Sequence, residues 1–522
     1  MAVINSVFLI EIFSLWLSGL YSQNVFKIKC LLNINIKFNN MNYFKTIFLL
    51  LALLAVHSLD AKVVTYPAGI GVKTLNVFSV EVRQGSGQWL PVDVYPVKVD
   101  RVDDKGHNVE VASMAYFDFD GTVDVRVISN EERVKSARVR PLSCKIAPNC
   151  VGDTVTFSLS HPRNLSVEIN GDIFHNLHLF ANPIDKFRPS DKEIKRALKK
   201  KKGGNLIYFA PGVHRLPNDT LLVPSGTTVY IDGGARVYGN IFTEGVHDVN
   251  IFGRGEVHPD GRGAGVQIRC SKNVKVDGIV VSQLPIGQCD LVELTNVKSI
   301  SYYGWGDGMD VFSSSNVILD GVFCRNSDDC VAVYASTQGY KGGSNNVLVK
   351  NATLWADVAH PINVGGHGDP NGMDTVQNIT FRNIDILDQA EKQIDYQGCL
   401  AINPGDNTLV CNITFENIQI EDFRNGQLVN FRISYNPKYC VSTGRGVRNV
   451  LVKDVVYNGT GANLSIIAGY DENHKISDVR FVNLVINDRK ITDDMLGKPK
   501  WYKTGDMAGI FVGEHVENIS FE

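Results

Sequence analysis

From residue 205 onward the chain repeats one short pattern, an Asn or Asp followed by a brief apolar strand. It reads Asp248-Val249-Asn250-Ile251, Asn273-Val274-Lys275-Val276, Asn296-Val297, Asn316-Val317-Ile318-Leu319 and Asn346-Val347-Leu348-Val349. It continues as Asn378-Ile379-Thr380-Phe381, Asn412-Ile413-Thr414-Phe415, Asn449-Val450-Leu451-Val452, Asp478-Val479-Arg480-Phe481 and Asn518-Ile519-Ser520-Phe521. The intervals run from 20 to 40 residues and are shortest before residue 316. Strand-rich units of irregular period predict a parallel β-solenoid over 205–522, with insertions looping out between its strands. Asn and Asp tolerate the left-handed conformation and bond to neighbouring backbone, so the repeated residue predicts a structural corner and a ladder along the coil.

Before the solenoid the period changes to two. Stretches such as Thr74 to Val82, Asn108 to Ala112, Val123 to Val127, Thr154 to Leu159 and Leu165 to Ile169 alternate apolar and polar residues between turns, predicting a β-sandwich over 62–182. A linker over 183–204 carries a short helix, with Ser190 and Glu193 as its capping box. The run Lys199 to Lys202 complements the dipole at that helix's end and reads as a solvated face.

Four carboxylates fall within about one coil: Asp307 and Asp310 in Trp305-Gly306-Asp307-Gly308-Met309-Asp310, and Asp328 and Asp329 in Ser327-Asp328-Asp329-Cys330. Asp307 and Asp328 are 21 residues apart, a spacing that predicts one stacked above the other. Adjacent residues on a regular strand point to opposite faces, so Asp328 and Asp329 serve one cleft where a strand meets a turn.

The segment from Asp307 to Tyr334 resembles the active-site coil of the polygalacturonase family of glycoside hydrolases, whose motif is Asn-Thr-Asp-Gly-x-Asp, an Asp-Asp pair one coil on, then Gly-His-Gly. Here Trp305-Gly306 replaces the Asn-Thr, and Ala359-His360-Pro361 is the better match to the His position than Gly366-His367-Gly368. The family's Arg-Ile-Lys has no clear counterpart, Arg432-Ile433-Ser434 being the nearest string. The stretch from Ile207 to Ile241 resembles the opening of the pectin-lyase-like right-handed β-helix, and a sandwich followed by that helix is similar to dextranases and isopullulanase. The resemblance implies an all-β chain and an inverting hydrolase of an α-linked polysaccharide. Asp328 would be the acid, Asp307 and Asp329 would hold and deprotonate water, and His360 would tune the acid or contact sugar. Asp310, Trp305, Lys341, His367, Tyr396 and Arg432 are candidate substrate contacts, with Tyr302, Tyr303, Trp355 and Lys392 as further possibilities. Galacturonan ranks first as substrate and a neutral α-glucan such as dextran second. A Ca²⁺-dependent pectate lyase and a non-catalytic carbohydrate-binding solenoid remain alternatives.

Charge and cysteines narrow the setting. With 52 Lys and Arg against 55 Asp and Glu the net charge is −3, which argues against a nucleic-acid partner. No His or Cys spacing reads as a zinc site, and the expected set holds no cofactor or metal. Residues 41–61, opening on Met41, have Lys45 before an apolar core and small residues after it, the pattern of a secretory signal, with Met41 the expected start and the first 40 residues an upstream extension. Ten cysteines and eight Asn-x-Ser/Thr sequons suit an oxidising, glycosylating route. Cys144 with Cys150 and Cys324 with Cys330 are the close pairs along the chain. The expectation is a secreted monomer without stable membrane association once the signal is cleaved.

Overall fold

Val249 pairs with Val274, and the column runs on coil by coil through Val292, Val317, Val347, Ile379, Ile413, Val450 and Val479 to Ile519. Each coil of the parallel β-helix thus sets an aliphatic side chain on the one before, at the ~4.8 Å spacing of hydrogen-bonded strands. The computed structural model describes residues 62–199 and 205–522. The expected leader over 1–61 and Lys200 to Lys202 lie outside the described residues.

All ten repeated Asn and Asp residues, from Asp248 (φ 57°) to Asn518 (φ 56°), are left-handed. Their side chains form the expected ladder: Asn346 Nδ2 donates to Asn316 at 2.7 Å, Asn412 to Asn378 at 3.0 Å and Asn449 to Asn412 at 2.8 Å. The corner turns because of this residue type, and the ladder satisfies the amide it leaves there.

The first 120 or so described residues form two sheets. Phe78–Arg83 and Val123–Ser129 alternate buried and half-buried positions and join Leu90–Val92, Asn149–Val151 and Thr154–Leu159 in a five-stranded antiparallel sheet. The second sheet is mixed, Leu177–Pro183 running parallel to Gly106–Phe119. From Ala112 to Phe119 every residue is buried, with no alternation. The cause is a middle-layer position: Ala115, Phe117 and Phe119 face the first sheet, while Ala112, Met114 and Tyr116 face the coil through Val280, Ile300 and Phe323.

Buried polar groups stitch that second interface. Arg254 Nε donates to Asp118 at 2.9 Å, Lys298 Nζ reaches Asn182 Oδ1 at 2.5 Å, and Arg325 donates to Asp357 at 2.8 Å and Asn176 at 2.9 Å. Charges at such depth hold only with partners of this kind, and residues 61–522 pack as one unit. The helix Asp191–Lys199 starts where its capping box predicts, Ser190 N donating to Glu193 at 2.8 Å and Glu193 N to Ser190 Oγ at 3.4 Å. The nine described cysteines are unbridged, and Cys324 and Cys330 are fully buried members of the coil's core, so neither expected pair is joined.

Candidate active site

The strands Met309–Phe312, Val331–Tyr334 and Ile362–Val364 stack in parallel; Asp307, Asp328 and Asp329 occupy the turns that lead into the first two, and Asp310 is the second residue of the first strand. Met309 lies opposite Val331, a step of 22 residues, and Val331 opposite Ile362, a step of 31. Carried two residues back, that register puts Asp307, Asp329 and His360 in one column. The 21-residue spacing placed Asp328 over Asp307; the coil is one residue longer, so Asp329 takes that place and Asp328 stands one position earlier, on the turn. Backbone bonds from Gly308 N to Asp329 O (2.8 Å) and Cys330 N to His360 O (2.8 Å) hold the three turns together.

The replacement of Asn-Thr by Trp305-Gly306 has a local cause. A Cβ on Gly306 would come within 2.4 Å of Ser327 Oγ, and one on Gly308 within 2.2 Å of Cys330 O, so the chain either side of Asp307 presses onto the next coil. Asn326 Nδ2 clamps the same loop, donating to Ser301 Oγ at 3.1 Å and to the Asp307 carbonyl at 3.2 Å.

Asp329 is 2% exposed and accepts four hydrogen bonds. Its Oδ1 receives His360 N at 3.1 Å and His360 Nδ1 at 2.7 Å, and its Oδ2 receives Tyr334 Oη at 2.7 Å and Asn363 Nδ2 at 2.8 Å. Burial alone would raise its pKa, but the His360 imidazole, with Asn363 and Tyr334, more than offsets that and holds it below the usual carboxylate range. The other three acids go the opposite way. Burial, then the charges of Asp307 and Asp329, push Asp328 well up. Burial, then Asp310 and Asp329, do the same to Asp307, which hydrogen-bonds Asp310. Asp310, buried with Oδ1 unpartnered, is raised by burial, then by Asp329 and Asp328. The site therefore holds one secure carboxylate, Asp329, amid three carboxyls that resist ionising, the separation that acid–base pairs require.

Aromatic rings wall one side. Tyr396 packs edge-on to His360 at 4.4 Å, Tyr439 stacks on Tyr396 at 5.0 Å, and Trp305, 68% exposed, meets Tyr439 at 6.4 Å. Lys438 lies 4.7 Å from the Tyr439 ring, and its ammonium is raised by its bond to Tyr439 and by the charges of Glu391 and Asp328. Arg262, exposed, lies over Tyr303 at 5.7 Å. Neither cation has a carboxylate salt-bridge partner among the described residues.

Other expected contacts sit elsewhere. Trp355 is fully buried under Arg325, so it is core. Lys341 follows the Val331–Tyr334 strand, beyond its end opposite the acids. Lys392 pairs with Asp104 of the sandwich, and Arg432 with Asp395. His367 turns its ring edge-on to Tyr334 at 5.0 Å and does not bond Asp329, leaving His360 as the histidine in the column. Tyr334, Asn363, Asn326, Tyr439 and Lys438 were not singled out from sequence. Asn363 and Tyr334 carry a signal in their register, both lying within a few residues of the acid and histidine turns. Lys438 and Tyr439 carry none, arriving on a loop from a distant coil. A separate cleft of about 680 Å³ between sandwich and coil is lined by Arg163, Asn164, Asp320 and Asp385 and includes none of the acids.

Residues 264–494 match the family model described as Glycosyl hydrolases family 28. A polygalacturonase of Juniperus ashei is 27% identical over 229 residues, 42% of this chain and 41% of that protein. A probable exopolygalacturonase X of Aspergillus fumigatus is 27% identical over 180 residues, 34% of this chain and 35% of that protein. The chain thus spans less than half the length of these curated relatives. Among solved structures, Dex49A from Penicillium minioluteum superposes with a TM-score of 0.57 at 13% identity, covering 88% of this chain and 96% of its own, a likeness of fold.

Proposed function

We propose that this chain is a secreted glycoside hydrolase that cleaves α-linked galacturonan with inversion. The observation that carries the reading is the column of Asp307, Asp329 and His360 with Asp328 beside it, one acid held ionised and its neighbour held protonated. The match of residues 264–494 to glycosyl hydrolases family 28 supports it. Asp328 gives its proton to the leaving oxygen. Four donors occupy the lone pairs of Asp329, so it acts as the fixed negative charge that keeps Asp328 protonated. Asp307 is half-buried where Asp310 is buried, and the two hold one proton across their hydrogen bond; with that proton on Asp310, Asp307 is the carboxylate that takes the proton from the attacking water. The same saturation of Asp329 disfavours a Ca²⁺-dependent lyase, which would need its oxygens for the ion.

Galacturonan carries a carboxylate on each sugar, and charge-assisted bonds to it are worth about 1.5–3 kcal/mol each. Lys438 and Arg262 are the cations placed to make them. The second reading, a neutral α-glucan, is favoured by the engagement of Arg432 with Asp395, which takes away the basic group nearest the expected position. Reducing-end release measured side by side on polygalacturonate, dextran and pullulan separates the two. Release from polygalacturonate, with the inverted β-anomer appearing first by NMR, is expected. Release from dextran alone would reassign the substrate, and first appearance of the α-anomer would reject inversion.

A further inference from the structure

We propose that His367, Asp406 and Cys440 form a site for a single divalent cation of the zinc type, beside the acid column and separate from it. The three residues follow the strands Ile362–Val364, Leu400–Ile402 and Val429–Arg432, which pair in parallel on consecutive coils, so one donor comes from each of three successive loops. Their ligand atoms all lie within 4.8 Å of one another. Tetrahedral zinc with bond lengths of about 2.0–2.3 Å sets its ligands about 3.5 Å apart, a contraction that modest side-chain rotation supplies.

Nitrogen, carboxylate oxygen and sulfur together suit a borderline-soft ion better than Ca²⁺ or Mg²⁺, which prefer oxygen throughout. Three protein ligands leave a fourth position for water. The outer contacts that orient such ligands are in place. The His367 ring packs edge-on to Tyr334 at 5.0 Å. Asp406 Oδ1 accepts Val441 N at 2.7 Å and Ser442 N at 3.2 Å, which fixes the carboxylate and leaves Oδ2. Cys440 Sγ lies 3.2 Å from the Gly366 carbonyl and is packed against Gly405, where an added Cβ would fall 2.3 Å from the sulfur. On binding, the Cys440 thiol gives up its proton to solvent. The bound ion would pin the loop that carries Lys438 and Tyr439 at the rim of the acid site.

The test uses the full chain, dialysed against a chelator and then titrated with zinc or cobalt. The expected result is one zinc retained per chain, a zinc-dependent rise in Tm, and a thiolate-to-cobalt charge-transfer band. Zinc should also protect Cys440, located by peptide mass spectrometry, from alkylation. Cys440→Ser and Asp406→Asn should each weaken zinc affinity more than about tenfold, with the cobalt band lost in the serine variant. Absence of the cobalt band and of Cys440 protection in the unaltered chain overturns the proposal whether or not the variants fold. Unchanged zinc affinity in both variants overturns it as well. None of these readouts depends on hydrolytic activity.

Discussion

Replacing Tyr334 with phenylalanine removes one hydroxyl from the acid site and little else. The ring keeps its stacking on Phe312 at 5.9 Å, and Asn363 keeps its own bond to Asp329. What goes is the 2.7 Å bond from Tyr334 Oη to Asp329 Oδ2, one of four that hold that carboxylate ionised, together with the 2.9 Å bond that Tyr334 Oη accepts from Asn363 Nδ2. A hydrogen bond to a charged group contributes about 1.5–3 kcal/mol. Losing it raises the folded-state pKa of Asp329 toward the ordinary carboxylate range. The sign for stability follows from the lowered starting value. A carboxylate whose folded pKa lies below its unfolded value stabilises the fold above the unfolded value, about 3.9, and loses that contribution as pH falls through the folded one. Tyr334→Phe should therefore be less stable than the parent by about 1.5–3 kcal/mol at pH 7, with the gap closing toward pH 3. Urea unfolding at the two pH values measures it. A gap equal at both pH values would show that the hydroxyl serves packing and does not hold the Asp329 charge.

Lys438→Ala, with its exposed cation gone from the rim, should raise KM for polygalacturonate about tenfold or more while changing kcat less, and should leave any action on a neutral polymer unaltered; equal effects on charged and neutral substrates would remove Lys438 from carboxylate recognition. Glycan occupancy should follow the ladder. The sequon amides of Asn164, Asn351, Asn378, Asn412, Asn463 and Asn518 donate hydrogen bonds within the fold, whereas Asn218 and Asn458 are exposed with no such bond among the described residues. Peptide mass spectrometry of the protein from a secreting eukaryotic host should find sugar at Asn218 and Asn458, and substantial occupancy at the ladder positions would contradict this.

The coil was legible because its corners need a residue type that sequence displays. Asn and Asp take the left-handed turn at low cost, and the apolar strand after each stacks on the last, so periodicity locates the coils from Asp248 onward; the strands Leu206–Phe209 and Thr228–Ile231 before it lack that signal, Gly226 making the turn ahead of the second. The acid cluster was legible for the same reason, sitting on turns that recur. Register was not. A single additional residue in the coil between Phe312 and Val331 exchanges Asp329 for Asp328 beside Asp307, and spacing on paper does not resolve one residue. Groups that meet across coils were also hidden: His367, Asp406 and Cys440 belong to three successive loops, and Tyr439 reaches Tyr396 from another coil. The sandwich's second sheet lost its alternation between Ala112 and Phe119 because both of its faces are covered, which a one-face pattern does not anticipate.

The central claim, that Asp328 is the proton donor, is tested most directly by Asp328→Asn on two substrates whose leaving groups differ. On polygalacturonate the amide cannot protonate the departing oxygen, and reducing-end release should fall by about 10²–10⁴-fold or more with the fold unchanged by circular dichroism. On an α-galacturonosyl fluoride, whose leaving group departs with little need of a proton, the variant should keep most of the parent's rate. Full activity on the polymer, or an equal collapse on both substrates, would contradict the assignment.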